Sequence, residues 1–373
     1  MELSAEDSLR LNVLLANAAA IRVDEGQMTV RGLSRDGQES LIQLNPNCRA
    51  DQYIRRVREL LSSVVLGSPG GYPVFLKRWT RMGQTAGARL ADLLRLGEPE
   101  AVVAVCGSPE LTDELAELAW WAMPDAGNAR RMLAHPAVAG GSMGPVLAEF
   151  LVEFLPFEEE PRAIVESVRL LLQPGLIDET TRQAIWKRGR AKGVFRIGFL
   201  LSTPDDLPEC RPPHPSLEGC RDRLEALAGA DNRVAAHLLR LLEGPGQTFL
   251  EAFGGAMKRP SDQDSYVALL EAGERYHAPV QRLKAECLSA EELERAVDEV
   301  LFGDPARHPD LQQVLQEVPE QEGRLRAMMF LAHVGEPQVR LIFARTDAVG
   351  TVLRKKLEPL AGPVQRQIDV MLG

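Results

Sequence analysis

The chain has 373 residues, 45% of them apolar and 26% charged, with a formal net charge of −10 at pH 7. Its length holds two or three domains or one elongated repeat array, and its negative balance argues against a general nucleic-acid binder, whose affinity is mainly electrostatic. Aromatic residues make up only 5%, while Leu and Ala are abundant, which favours helix over sheet. No apolar run approaches the length of a bilayer crossing, and MELSAEDSLRLN at the start lacks the basic and apolar regions of a secretory signal. Five scattered cysteines read as reduced thiols. The expectation is a soluble, cytoplasmic protein.

In chain order, residues 4–17 predict a first helix with Ser4 and Asp7 as a cap pair and Leu9, Val13 and Ala16 along one side. AIRVDE (20–25) and MTVRGLS (28–34) alternate as strands do, turning at Gly26, and LIQL (41–44) follows a second turn at Asp36-Gly37. This predicts a small β-meander, ended by Asn45-Pro46-Asn47. Helix resumes over 51–66, with Tyr53, Ile54, Val57, Leu60, Leu61 and Val64 on one face. A Gly/Pro break, Gly67–Gly71, and a short basic helix come next. GSPGG lacks the Gly-Lys-Ser/Thr ending of a phosphate loop and reads better as a turn.

The stretch LGEPEAVVAVCGSPELTDELAELAWWAMP (96–124) reads as two short helices joined by a tight break. Glu98-Pro99 opens the first, Gly107 closes it in a left-handed turn, and Ser108 caps the second, which runs over 109–122. Leu111, Leu115, Leu118 and Ala122 form its apolar stripe, and Trp120-Trp121 reads mainly as core packing. A hairpin this short cannot bury both faces alone, so it needs neighbours of its kind. Short helices recur near 87–95, 127–134, 144–155, 160–173, 178–189, 192–201, 217–229, 231–243, 247–257, 262–276, 278–287, 290–301, 308–317, 321–332, 337–345 and 349–371. VGEPQVRLIF (334–343) echoes LGEPEAVVAV (96–105). The fold class expected is mainly α: a HEAT- or armadillo-like array of helical hairpins with a small N-terminal α+β cap. Its expected divisions are a cap over 1–48, a front half of the array over 49–204, a Pro-rich linker over 205–216 and a back half over 217–373.

Charge is uneven. Residues 1–204 hold 23 Lys/Arg against 25 Asp/Glu, and residues 205–373 hold 20 against 28. No acidic residue stands between Glu59 and Asp92 or between Glu179 and Asp205. YPVFLKRWTRM places Lys77, Arg78 and Arg81 around Trp79, the composition of an interface anchor. WKRGRAKGVFR (186–196) is the densest basic run, and Trp186, Lys187, Arg188 and Arg190 suit an acidic protein surface or, less well, an RNA phosphate chain. For both runs the competing reading is solvated charge around a buried Trp. Cys210 and Cys220, in a proline-stiffened stretch with His214, have the wrong spacing for a zinc finger and no fourth ligand. They remain the candidates for a redox-active or sulfur-carrying thiol. Cys48, Cys106 and Cys287 look structural. The six histidines do not group with one another or with carboxylates at ligand or triad spacing, and no hydrolase, metalloprotease or dinucleotide signature is present. No catalytic residue, metal or cofactor is expected.

LNVLLAN (11–17), LNPNC (44–48), LGSPGGYPVFLKRWTRMGQ (66–84), EFLVEFLPFEE (149–159) and LLLQPGLI (170–177), with the two strand segments and LGEPEAVVAV, resemble the DsrS-type sulfur reduction proteins encoded with the dissimilatory sulfite reductase system of sulfur-oxidising bacteria. The resemblance covers the front half and implies a cytoplasmic protein of stored-sulfur oxidation. It brings no reaction, cofactor or catalytic residue. The function expected is an accessory, non-enzymatic scaffold or regulator docking a protein of that pathway. The alternatives are a thiol-based sulfur carrier or sulfurtransferase through Cys210 or Cys220, and an RNA-binding post-transcriptional regulator. No membrane partner is expected, and the oligomeric state is left open.

Overall fold

A computed structural model describes residues 3–67, 87–284, 288–344 and 348–373. The chain is mainly helical, with one three-stranded antiparallel sheet near the N-terminus, and divides into two compact units, residues 1–156 and 157–373. The first unit runs α1 (Ala5–Asn17), β1 (Ala18–Asp24), β2 (Thr29–Ser34), β3 (Glu39–Gln43), α2 (Ala50–Leu66), α3 (Gly87–Leu93), α4 (Pro99–Cys106), α5 (Asp113–Ala122), α6 (Ala126–Leu133), α7 (Pro136–Ala139) and α8 (Met143–Phe154). The second runs α9 (Pro161–Leu171), α10 (Glu179–Arg188), α11 (Val194–Ser202), α12 (Arg221–Gly229), α13 (Arg233–Leu242), α14 (Gly244–Met257), α15 (Gln263–His277), α16 (Ala290–Phe302), α17 (Pro309–Glu317), α18 (Glu322–Leu331), α19 (Glu336–Phe343) and α20 (Gly350–Leu372).

The meander forms as its alternation predicts. Val30 pairs with Val23 on one side and Ile42 on the other, so all three side chains share the covered face. In the first turn it is Met28 (φ 52), not Gly26, that takes the left-handed position; Gly37 (φ 81) takes it in the second. Against the sheet lie α1 and α2, whose Leu11, Leu14, Leu15, Tyr53, Ile54, Val57 and Leu61 fill one core with Ile21 and Val30. A Cβ on Gly32 would stand 2.8 Å from a Leu14 methyl, so the bare glycine lets α1 approach the sheet. Ser4 caps α1 by accepting the Asp7 N–H (3.1 Å), as the cap pair predicts. The buried Asp7 carboxylate accepts the Asn45 N–H (2.9 Å) and the Tyr53 hydroxyl, joining α1, the meander exit and α2.

Several expectations change. The face of α1 read as Leu9, Val13 and Ala16 points outward: Leu9 is 67% and Val13 58% exposed. Gly107 closes α4 at φ −95, outside left-handed space. The second helix of the hairpin starts four residues late, because Thr112, accepting the Leu115 N–H (3.3 Å), wins the cap over Ser108. The segment 278–287 contains one 3₁₀ turn (Ala278–Val280) in place of a helix, and its last three residues lie outside the described ones. The stretch expected as a linker packs into the second unit. Leu207 and His214 are buried, the Arg211 N–H bonds Thr248 Oγ1 (2.9 Å), and the His214 N–H bonds the Leu242 carbonyl (2.8 Å). Prolines leave few N–H groups to satisfy, and these two find partners, so the segment holds a fixed path with one 3₁₀ turn, Pro215–Leu217, at its end.

In the second unit α14 is the central helix. It packs against α11, α13, α15 and α20, and Phe249, Leu250, Ala252, Phe253, Ala256 and Met257 are all buried. Its Phe249 ring lies flat on Tyr276 of α15, centroids 3.7 Å apart. It comes to the surface at Glu251 and Gly255 and, just past its end, at Lys258 and Arg259.

Candidate basic site of the second unit

The turn from α10 to α11 carries the densest basic run to the surface. Asp178 starts α10 by accepting the Thr181 N–H (2.8 Å), and Lys187 and Arg188 fall in its last turn, where cations complement the helix dipole. Trp186 faces the other way. It is 1% exposed, its ring meets Phe199 edge to face at 5.2 Å, and the Arg196 guanidinium lies over it at 4.8 Å. Trp186 is therefore the anchor of the run in the core, not part of its surface. Lys187, Arg188, Arg190 and Lys192 are exposed. Arg190 pairs with Glu209 at 2.6 Å, and Arg196 stands 3.9 Å from the same carboxylate. The Arg190 bond, outweighing burial, holds the Glu209 carboxyl below its usual range, with the Arg196 charge adding to the effect.

Lys258 and Arg259, sixty residues on, complete the site from the end of α14. With Arg190 and Arg196 they line an open hollow of about 320 Å³ beside the glycines and alanines of both segments. Sequence reading missed this pair because two cations closing a helix carry no pattern of their own. The signal it had, an acid-free window over 180–204, marks only one wall.

Lys77, Arg78, Trp79 and Arg81, the first choice for a partner surface, lie outside the described residues, as does the break after Gly67. Cys287 does too. Trp120 and Trp121 are both half-buried: Trp120 meets Phe150 at 4.8 Å, and the Trp121 Nε1–H donates to Glu39 at 2.6 Å. Cys210 is exposed and Cys220 buried. Burial, with the Glu320 charge second, pushes the Cys220 thiol up, away from the reactive thiolate. Among the described residues no group of three His, Cys, Asp or Glu could hold a metal, and no helix is long and apolar enough to cross a membrane.

The histidines group more than their spacing predicts. His237 of α13 and His277 of α15 share a hydrogen bond, Nε2 to Nδ1, at 2.8 Å in the core. Burial drives both toward neutrality, His237 to about 3, and the nearby Arg240 guanidinium adds to this. Arg240 is itself clamped by Asp205 (2.7 and 2.5 Å) and stacked on Tyr276 at 3.8 Å. Two neutral imidazoles sealed from solvent join helices and offer substrate no proton.

A scan of protein-family models, a search of curated proteins and a search of solved structures each found no match to the chain.

Proposed function

We propose that the chain is an accessory, non-enzymatic interaction protein of cytoplasmic dissimilatory sulfur oxidation that docks an acidic protein partner on the basic face of its second unit. Supporting this reading are the exposed cations Lys187, Arg188 and Lys192, none of which pairs with a carboxylate among the described residues, in a chain of net charge −10. Opposite charge on a partner steers encounter and fixes orientation. The pathway rests on the sequence resemblance alone. The helical body is read with it as a HEAT- or armadillo-like stack, on the pairing of α6 with α8, α9 with α11 and α12 with α13; the many-sided packing of α14 is its departure from a one-dimensional array.

Mixing the pure chain with purified proteins of the sulfur oxidation pathway tests the proposal. Micromolar binding that weakens with salt and is lost in Lys187→Glu/Arg188→Glu is expected; absence of binding at that concentration overturns it. A thiol-carrier reading narrows to Cys210, the exposed one of the pair, and predicts added sulfur on that residue by mass spectrometry after persulfide treatment.

A further inference from the structure

Many arginines among the described residues stand beside a carboxylate, as Arg182 does with Asp206, Arg221 with Glu243 and Arg326 with Asp298. The hollow between the α10–α11 turn and the end of α14 is different. Four cations line it, Arg190, Arg196, Lys258 and Arg259, and no carboxylate does. Glu209 sits just outside, satisfying Arg190 and standing within 4 Å of Arg196. Lys258 and Arg259 are exposed and form no ion pair among the described residues.

The hollow is also built to hold Arg196 in place. A Cβ on Gly189 would come within 2.4 Å of the Arg196 side chain, so that glycine gives the arginine its room. The Trp186 ring supports the guanidinium from below. The Arg196 Nε is buried there with no hydrogen-bond partner among the described residues. Gly193, the N-cap of α11, lines the same hollow and adds the positive end of a helix dipole. At about 320 Å³ the space exceeds a bare tetrahedral anion and falls at the lower end of small-ligand sites.

We infer that this hollow binds a small tetrahedral oxyanion, free or as the terminal phosphate or sulfate of a small organic molecule, held by Arg190, Arg196, Lys258 and Arg259. The hollow lies on the face of the docking reading but is tested apart from it, because the anion binds with no partner present. Glu209 holds Arg190 in the empty state and competes with the anion for it.

Titration calorimetry of the full chain with inorganic phosphate, sulfate and glycerol phosphate tests it. A dissociation constant of about 1 mM or tighter is expected for at least one probe at low chloride. Preference for glycerol phosphate assigns the organic source, and preference for phosphate or sulfate the free ion. Lys258→Ala/Arg259→Ala weakens binding by about tenfold or more. Gly255→Asp does the same by a different route, since a Cβ there meets nothing within 4 Å and the fold is undisturbed. Glu209→Gln tightens binding by releasing Arg190, a gain that unfolding cannot mimic. No binding of any probe at about 10 mM, or equal binding by all variants, overturns the assignment whether or not a protein partner is found.

Discussion

Asp113 shows how one side chain can serve an element other than its own. It lies in the first turn of α5, yet its carboxylate accepts the Ser142 N–H and hydroxyl (both 2.7 Å) and the Met143 N–H (3.1 Å) at the start of α8. Ser142 itself makes no side-chain cap bond to that helix, so α8 is capped from outside. Burial opposes the charge, but the bonds from Ser142 and Met143 outweigh it and hold the carboxyl below its usual range. Asp113→Ala should destabilise the first unit by about 1–2 kcal/mol, read as a lowered denaturant midpoint at unchanged slope. Asp113→Asn, which keeps one acceptor, should lose less. Equal stability of all three proteins would mean that α8 needs no cap.

At the scale of elements, α1 explains both what the sequence discloses and what it withholds. Its apolar residues, Leu9, Leu11, Val13, Leu14, Leu15 and Ala16, satisfy two helical stripes at once, 9-13-16 and 11-14-15. Periodicity cannot choose between them; the sheet, approaching at Gly32, does. Leu11→Ala should therefore cost about 2–5 kcal/mol, while Leu9→Gln, at a 67% exposed position, should leave stability within about 0.5 kcal/mol. A reversed order in thermal unfolding would restore the 9-13-16 face. The meander, by contrast, was readable because its alternation and turn residues are local; the Ser289–Glu292 capping box, equally local, forms with both bonds present. The start of α5 was not, since Ser108 and Thr112 are both good caps four residues apart. Ser108 instead receives the Glu110 N–H in a turn (3.3 Å), and the Leu111 N–H bonds the Ser108 carbonyl (3.0 Å), carrying Leu111 into the core. Half of the basic hollow was visible for the same reason as the meander, as a continuous run. Its other wall arrives only when α14 folds through the centre of the second unit.

At the scale of the whole chain, the buried histidines set where acid strikes. His214, His237, His277 and His333 all belong to the second unit, and burial is the largest cause lowering each of them. His333 is also fixed by geometry. Its Nδ1 meets the Met329 carbonyl at 2.6 Å, while Nε2 accepts the N–H groups of Arg282 (2.7 Å) and Leu283 (2.9 Å), which a second proton would repel. A histidine whose native value lies below its unfolded value of about 6.5 binds fewer protons when folded. Its contribution is therefore complete above that pH and is lost as pH falls, at up to about 1.4 kcal/mol per pH unit for each group. For His237 the loss continues to about pH 3. Glu274, raised by burial and by the charges of Glu336 and Glu271, runs the other way, one group against four. Carboxylates held low, Asp113 among them, join only below about pH 4. Between pH 6.5 and 4.5 the second unit should therefore lose stability steeply while the first changes little. In hydrogen exchange followed by mass spectrometry, peptides of α13 and α15 should lose protection well before those of α1 and α2. His237→Gln with His277→Gln should flatten that pH slope even where it lowers stability at neutral pH, and an unchanged slope would place the acid-sensitive protons elsewhere.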